Sequence, residues 1–405
     1  MNSYSGDIPR LALKTLQAFA QMYGRDCRVV RWAWAYRRLR NKIWWQWRRQ
    51  ALAYLYPAPP RDGRLHVFWH LRGGLGDCAV ACLAVLALRE KLPQAVFYYH
   101  TDSPRAAEAL FAADDKNVFL PPGQPLYHRY DVAFETCQSF KVLRVNSRRV
   151  QAVAPELEPL LAEMARRQEP FAFFLEDNYL LEDLLGYFAV QQGLPRAGLI
   201  SYLSALDFDP LSAPALPGEL TAPERLQKWH LQGKKYITLH DGIDATFSLN
   251  GRRPLKCWPV EKWRALAQQL KAKYPGVWLV QLGGRNSPKF DFADVCLVGQ
   301  TAVADLPALL QGSLLHIDAE SGLVQLTRGL DTRCVVLFGP TDPAFFGLAK
   351  NVNLKTGPCR HCMWLLGTAW HVQCALGYPS CKNLDALTVP AVARAAEQAL
   401  DEKLK

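Results

Sequence analysis

Side chains that can move protons or bind phosphate follow predicted strands at several points of this 405-residue sequence. Asp77 ends a glycine-rich turn, RGGLGD, between a predicted strand and an apolar helix. A carboxylate there can cap the helix, which contributes about 1 kcal/mol of stability. The same place is the carboxyl edge of a parallel sheet, where α/β proteins bind ligands. Asp77 is therefore a candidate for both roles, which are compatible.

A second set of candidates lies in residues 314–346, LLHIDAESGLVQLTRGLDTRCVVLFGPTDPAFF. The pattern predicts a buried strand ending at Asp318, a tight turn, a short helix and another buried strand at 334–338. Strand, turn and helix start together form a corner that fits a phosphate group. The turn contains Glu320, Ser321 and Gly322.

A polar loop, DATFSLNGRRPLKCWP, separates the strand KKYITLHDGI from the helix EKWRALAQQLKAKYP. Cationic and hydroxyl groups on such a loop suit a diphosphate, because they and a helix N-terminus offset its negative charge. For any single one of these side chains, a solvated loop position is the alternative. The candidates are Thr246, Arg252, Arg253 and Lys256.

Four of the eleven cysteines are clustered in CRHCMWLLGTAWHVQCALGYPSC. A C-x2-C pair followed by two further cysteines has the spacing of a tetrahedral thiolate site for structural zinc or iron. The alternative is four reduced thiols in a loop. His361 or His371 could replace one ligand. The predicted ligands are Cys359, Cys362, Cys374 and Cys381.

Strands and helices alternate over most of the chain, which predicts two α/β domains with mostly parallel sheets and a cleft between them. The length suits two cores better than one. No run of about 18 apolar residues is present, so neither a transmembrane helix nor a secretory signal is predicted. Eleven cysteines without a signal favour a reducing compartment. The predicted segments are 1–60 (arm and linker), 61–225, 226–390 and 391–405 (a final helix).

The net charge of +11 is concentrated at the N-terminus, where residues 1–61 hold 12 Lys/Arg against 2 Asp/Glu. Residues 28–56 form a predicted basic, Trp-rich amphipathic helix without any acidic residue. Such a helix suits the surface of an anionic membrane. The alternative is a helix packed on the protein with a solvated basic face. Nucleic acid is not an expected partner, because no recognition motif accompanies the charge.

Four motifs occur in an order that resembles glycosyltransferase family 9, the ADP-heptose-using heptosyltransferases and their relatives. They are GLGD before the first apolar helix, LKCWPVEKW (255–263), ESGLVQLTRGL (320–330) and VVLFGPTDP (335–343). The resemblance implies the GT-B fold, with two Rossmann-like domains facing a central cleft. It also implies that the final helix packs back towards the first domain.

Within this resemblance, Asp77 matches the general base that takes the proton of the acceptor hydroxyl. Lys256 matches the lysine that binds the donor diphosphate, and Thr246 or Ser248 supplies a hydroxyl beside it. No catalytic metal is expected where a lysine and a helix dipole stabilise the leaving group. Some family members that glycosylate proteins carry iron in a cysteine-rich segment similar to 359–381.

The turn at 320–322 matches the donor site, with the backbone N–H groups of Ser321 and Gly322 directed at phosphate. The family often has aspartate where this chain has Glu320, which moves the carboxylate by about one methylene group. Asp318, two residues earlier, is an alternative for the donor-binding acid.

The resemblance therefore predicts an inverting glycosyltransferase that moves heptose from ADP-heptose to a glycolipid of the lipopolysaccharide core. The basic arm predicts a peripheral position on the inner, cytoplasmic face of the membrane. Protein O-heptosylation is one alternative, favoured by the cysteine cluster. A non-catalytic, membrane-associated protein that binds sugar nucleotides is another.

Overall fold

The computed structural model describes residues 59–111, 116–120, 127–175, 179–209, 223–242, 254–366 and 371–404. The N-terminal arm, with its basic segment 28–56, lies outside these residues, and so do Thr246, Ser248, Arg252 and Arg253. Among the described residues, no helix combines the length and apolar character needed to span a membrane.

The first sheet is parallel except at one edge. Its strands are β1 (His66–Leu71), β2 (Val96–Thr101), β3 (Asn117–Phe119), β4 (Val132–Thr136) and β5 (Phe140–Val145). They lie in the order β3-β2-β1-β4-β5, and β5 runs antiparallel to β4. The strand order reverses beside β1, and such a switch point is where α/β sheets bind ligands.

Six helices of the described chain belong to the first domain. They are α1 (Leu75–Lys91), α2 (Pro104–Leu110), α3 (Ser147–Val153), α4 (Glu158–Gln168), α5 (Tyr179–Gln191) and α6 (Arg196–Ser204). Helix α1 is apolar on nearly all sides, with ten buried residues between Cys78 and Leu88. A helix of this kind needs neighbours on both faces. Helix α1 packs on the first domain and also against the second.

The second sheet is entirely parallel among the described residues. Its strands are β6 (Tyr236–His240), β7 (Trp278–Gln281), β8 (Val295–Cys296), β9 (His316–Ala319), β10 (Cys334–Leu337) and β11 (Val352–Leu354). Their order is β11-β10-β9-β6-β7-β8, which is the Rossmann order. The switch point lies between β6 and β9, directly before the predicted phosphate corner.

Eight helices belong to this part of the described chain. They are α7 (Pro223–Gln227), α8 (Val260–Lys273), α9 (Leu306–Gln311), α10 (Gly322–Leu326), α11 (Pro343–Phe346), α12 (Met363–Leu366), α13 (Lys382–Ala386) and α14 (Val389–Leu404). Helix α7 packs against α9. The predicted boundary at 225/226 therefore falls inside a helix of the second domain.

The final helix, α14, packs on the second domain, so the prediction that it returns to the first domain is wrong. Val392, Ala393 and Ala396 share a core with residues of α8 and the second sheet, and Glu397 pairs with Lys273 at 2.9 Å. The apolar face of α14 is therefore buried against α8 and the second sheet.

Candidate active site

Asp77 lies in the first turn of α1, just beyond the carboxyl end of β1. Its Oδ2 accepts a hydrogen bond from the Gly74 backbone N–H at 2.6 Å. Its Oδ1 lies 2.6 Å from a terminal guanidinium nitrogen of Arg196. The carboxylate is still 24% exposed. Asp77 thus caps helix α1 and stays partly exposed to solvent, which confirms the first interpretation, whereas its role in ligand binding stays a prediction.

The turn before Asp77 depends on glycine at position 73. Gly73 has a φ of +93°, and a Cβ there would lie 2.2 Å from the Asp77 carboxylate. The turn is also tied to the end of β2, because Asp102 accepts from the Gly73 N–H at 3.1 Å and Ser103 donates to its carbonyl at 2.8 Å. The position of Asp77 is therefore fixed by the backbone around it.

Sequence reasoning missed Arg196. It begins α6, its side chain is only 4% exposed, and it also donates to the carbonyl of Cys137. In the sequence it is one arginine among many, placed after Pro195 at a helix start. Only the fold, which brings α6 beside α1, shows that it pairs with Asp77.

A buried polar network lies under the switch point of the second sheet. Asp318 has no solvent exposure and accepts hydrogen bonds from His240 at 2.9 Å, from His316 at 3.2 Å and from the hydroxyl of Ser321. Thr238 Oγ1 lies 2.9 Å from the other ring nitrogen of His316. These side chains alternate with apolar ones along β6 and β9 and so share one face of the sheet.

Burial by itself would raise the pKa of Asp318, but the positive charge and hydrogen bond of His240, with help from His316, bring it down to about 2. Conversely, burial lowers the pKa of His240, and the charge of Asp318 more than reverses this. Asp318 therefore contacts other buried groups rather than the open cleft. Its position suits holding the turn in place, whereas direct contact with a donor stays a prediction.

Ser321 caps α10, because its Oγ accepts from the Leu323 N–H at 3.1 Å while its proton goes to Asp318. Glu320 forms an ion pair with Lys256 at 2.7 Å, in which the two side chains are 7% and 10% exposed. Lys256 comes from the loop before α8, so two separate predicted site residues meet here. Lys256 and Glu320 therefore form a largely buried ion pair beside the turn that follows β9.

The starts of α1 and α10 touch each other across the two domains. A Cβ on Gly322 would lie 2.7 Å from the backbone nitrogen of Gly76, and one on Gly76 would lie 2.9 Å from the Cα of Gly322. Only glycine at both positions permits this approach. It places Asp77 near the 320–322 turn, although more than two hundred residues separate them in sequence.

We expect Gly322→Ala to lower the free energy of unfolding by about 1–3 kcal/mol, the usual range for an overpacked contact. The added methyl group meets backbone atoms, which cannot rotate away. Chemical unfolding measures the change. Gly276→Ala is the control, since no atom lies within 4 Å of a Cβ at that position. Equal stability of the two variants would contradict the contact.

The cysteine cluster does not form a ligand set in this structure. In the described part of the chain, no three His, Cys, Asp or Glu side chains are placed to hold a metal ion, so the prediction of a site from Cys359, Cys362, Cys374 and Cys381 is not supported. The spacing of the cysteines determines only how far apart they lie along the chain, not where their sulfur atoms lie in space. All four are free thiols, and burial, with the nearby thiols, raises the pKa of Cys362 to about 12.

Residues of the 359–381 segment contact other parts of both domains. His361 faces Asp342 at 3.5 Å, and the carbonyl of His371 accepts from the Leu255 N–H at 2.8 Å. Trp364 in α12 packs on α5 of the first domain, where a Cβ on Gly186 would lie 2.7 Å from its ring. The segment thus connects the two domains.

Comparison with known proteins agrees with this architecture. The model of glycosyltransferase family 9 (heptosyltransferase) matches residues 219–363. Lipopolysaccharide heptosyltransferase 1 of Pseudomonas aeruginosa PAO1 is 29% identical over 153 residues, which are 35% of this chain and 42% of that protein. The matched region is thus less than half of the relative's length.

Two solved structures share the fold. The iron-containing dodecameric heptosyltransferase TibC of enterotoxigenic Escherichia coli, solved with ADP-D-beta-D-heptose, is 12% identical with a TM-score of 0.53, covering 84% of this chain and 78% of its own. A family 9 glycosyltransferase of Veillonella parvula DSM 2008 is 15% identical with a TM-score of 0.50, covering 85% and 100%.

Two Rossmann-like domains with facing switch points form the GT-B fold, which confirms the predicted fold class. The resemblance predicted from the four motifs is confirmed as well, because this chain is similar to glycosyltransferase family 9 (heptosyltransferase) over residues 219–363 and to a heptosyltransferase of that kind.

Proposed function

We propose that this chain is an inverting glycosyltransferase that moves a sugar from a nucleotide sugar, with heptose from ADP-heptose favoured, to a glycolipid of the lipopolysaccharide-core type. One observation carries the proposal. The helix that bears Asp77 touches the helix after the Glu320–Ser321 turn at Gly76 and Gly322. A base and a donor corner thereby belong to one site. The matched family and relative support the donor class.

In this proposal the acceptor hydroxyl attacks the anomeric carbon from the side opposite the diphosphate. The new carbon–oxygen bond forms as the bond to the diphosphate oxygen breaks, and the nucleoside diphosphate leaves with the electron pair. The hydroxyl proton passes to the carboxylate of Asp77, whose two oxygens have lone pairs left beyond their present hydrogen bonds. Attack from the opposite side inverts the anomeric configuration.

The leaving diphosphate gains negative charge, and fixed positive groups that meet it lower the barrier. Lys256 would be such a group, because it pairs with Glu320 just before α10, and the proposal adds Thr246 from the loop outside the described residues. Glu320, beside Lys256, would accept hydrogen bonds from hydroxyl groups of the donor. Asp318 would hold Ser321 and the turn from below.

The acceptor side of the proposal rests on the N-terminal arm, whose residues 28–56 lie outside the described chain. A basic, Trp-rich amphipathic helix would hold the protein on an anionic bilayer. The proposed location is therefore the cytoplasmic face of the inner membrane, where a membrane-borne acceptor is within reach.

The test is a donor and acceptor screen with the full chain. ADP-, UDP- and GDP-sugars are first ranked by calorimetry, and the tightest donor is then tested for transfer to a lipopolysaccharide-core glycolipid in liposomes and to an autotransporter-type protein. We expect ADP-heptose to bind best and to be used with the glycolipid.

Transfer to protein alone would favour the protein-modifying alternative. Binding of a sugar nucleotide with no transfer to either acceptor would favour a non-catalytic binding protein. Failure to bind any of the three donors would contradict the proposed function altogether.

A further inference from the structure

We propose that Arg196 is a positioning residue: it holds the carboxylate of Asp77 in the orientation that accepts the proton, and Phe346 of the second domain holds Arg196 in turn. The proposal rests on the proposed function, since it assigns Asp77 the part of the base. It adds a residue that no motif of the sequence identifies.

The Asp77–Arg196 pair differs from an ordinary surface ion pair in the burial of its cation. Asp305 provides a comparison within the same chain, because its Oδ2 also accepts from a backbone N–H three residues earlier, at 3.0 Å. Its basic partner at 3.3 Å, Lys228, is 54% exposed, whereas Arg196 is 4% exposed. Burying a guanidinium is costly unless it is paired. The orientation of Arg196, and with it that of Asp77, is therefore narrowly defined.

The Asp77 carboxylate is fixed at both oxygens. The Gly74 N–H binds Oδ2 and Arg196 binds Oδ1, each at 2.6 Å. With one contact the carboxylate can still rotate about its bond to Cβ, whereas with two it cannot. Arg196 itself is held by the carbonyl of Cys137, so the arrangement does not depend on solvent.

The second domain contacts the same guanidinium. The Cζ of Arg196 lies 5.6 Å from the centre of the Phe346 ring, within range of a cation–π contact. Phe346 is tied to α10, because its carbonyl accepts from the side chain of Gln325 at 2.9 Å. Arg196 thus contacts Asp77 on one side and Phe346 of the second domain on the other.

A second buried arginine lies near this group. Burial, together with the positive charge of Arg196, lowers the pKa of Arg328 to about 10. The mutual repulsion of two guanidinium groups disfavours movement of Arg196 towards the second domain. It leaves the Asp77 carboxylate as the favourable place for the Arg196 charge.

The test compares Arg196→Gln and Arg196→Lys with Arg149→Gln. Arg149 is a matched control, since it also pairs with an aspartate, Asp131, at 3.2 Å and binds backbone carbonyls. It lies at the amino ends of β1 and β4, away from Asp77. We expect Arg196→Gln to reduce kcat by about 10²-fold, the scale of a 1 Å misplacement, with the Kd for ADP unchanged. Arg196→Lys should restore part of kcat, and Arg149→Gln should change neither quantity.

A double variant separates positioning from a general loss of structure. In an Asp77→Asn background, Arg196→Gln should have little further effect on kcat, because residues that act as one unit are not additive. Thermal unfolding of Arg196→Gln and Arg149→Gln checks that both fold, and Arg196→Lys is used if the glutamine variant does not.

Three results would overturn the proposal. The first is a kcat of Arg196→Gln equal to that of the wild-type protein. The second is that Arg196→Gln lowers kcat as much in the Asp77→Asn background as in the wild type. The third is an ADP affinity that falls in step with kcat. An unchanged chain that transfers no sugar from any donor overturns the proposed function instead, and the positioning role with it.

Discussion

Replacing Asp77 with asparagine should reduce kcat by about 10²–10⁴-fold, the usual contribution of a general base. Asparagine has the same shape and can still accept from the Gly74 N–H, so the cap of α1 is kept while the proton acceptor is lost. The Kd for ADP should not change, because the proposed diphosphate site lies on the other domain. Steady-state kinetics with saturating donor and calorimetry with ADP measure the two quantities.

Asp305→Asn is the matched control for this change. Asp305 caps its helix in the same way and also has a basic partner, so the substitution removes an equivalent carboxylate from an equivalent position. Its kcat should equal that of the unchanged chain. Asp77→Asn has a second effect, since it leaves the buried Arg196 without its anion, and the free energy of unfolding of both variants should be compared. Full turnover by a folded Asp77→Asn variant would rule out the base.

Replacing Lys256 with methionine should weaken ADP binding by about 10–150-fold. This range corresponds to the roughly 1.5–3 kcal/mol of a hydrogen bond to a charged group. Stability should fall too, because Glu320 is 7% exposed and would be a buried charge without a partner, at a cost of about 3–5 kcal/mol. Calorimetry with ADP and chemical unfolding separate the two losses.

Two further variants make the interpretation specific. Adding Glu320→Gln to Lys256→Met should restore most of the stability, since no unpaired anion is left, but it should not restore ADP binding. Lys141→Met is the control, because Lys141 also forms a buried pair, with Glu135 at 3.0 Å, in the first domain. It should lower stability and leave ADP binding unchanged. Wild-type ADP affinity in Lys256→Met would contradict the assignment of Lys256.

The sequence predicted the parts of the site that lie on strand ends. Glu320 and Ser321 directly follow a hydrophobic strand, Asp77 comes one tight turn after another, and topology places the carboxyl ends of parallel strands at one edge. The meeting of Lys256 with the 320–322 turn was also predictable, since LKCWPVEKW and ESGLVQLTRGL resemble one family's donor site. The two-domain fold with mostly parallel sheets follows from the alternation of strands and helices, whereas the order of the strands is known only from the structure.

The rest could not be predicted because it depends on contacts between distant elements. Arg196 lies 119 residues from Asp77 in sequence, and nothing in QQGLPRAGLI indicates a partner. The two histidines around Asp318 could not be predicted for a related reason. His240 and His316 appear in the sequence as polar residues within buried strands, and only the register of β6 and β9 brings them together. The cysteine spacing predicted a metal site, but spacing along a chain does not fix the positions of the sulfur atoms.

At Gly76 and Gly186 of the first domain, atoms of the second domain occupy the space that a Cβ would need. Two such points define a line. Any rotation of one domain against the other that keeps both contacts must take place about that line, and groups near it move least. Asp77 is adjacent to Gly76, and Ser321 is adjacent to the Gly322 that touches it. Helix α2 of the first domain also contacts residues 303–305 of the second, so a rotation about that line would have to break this contact, while Asp77 and Ser321 would keep their separation.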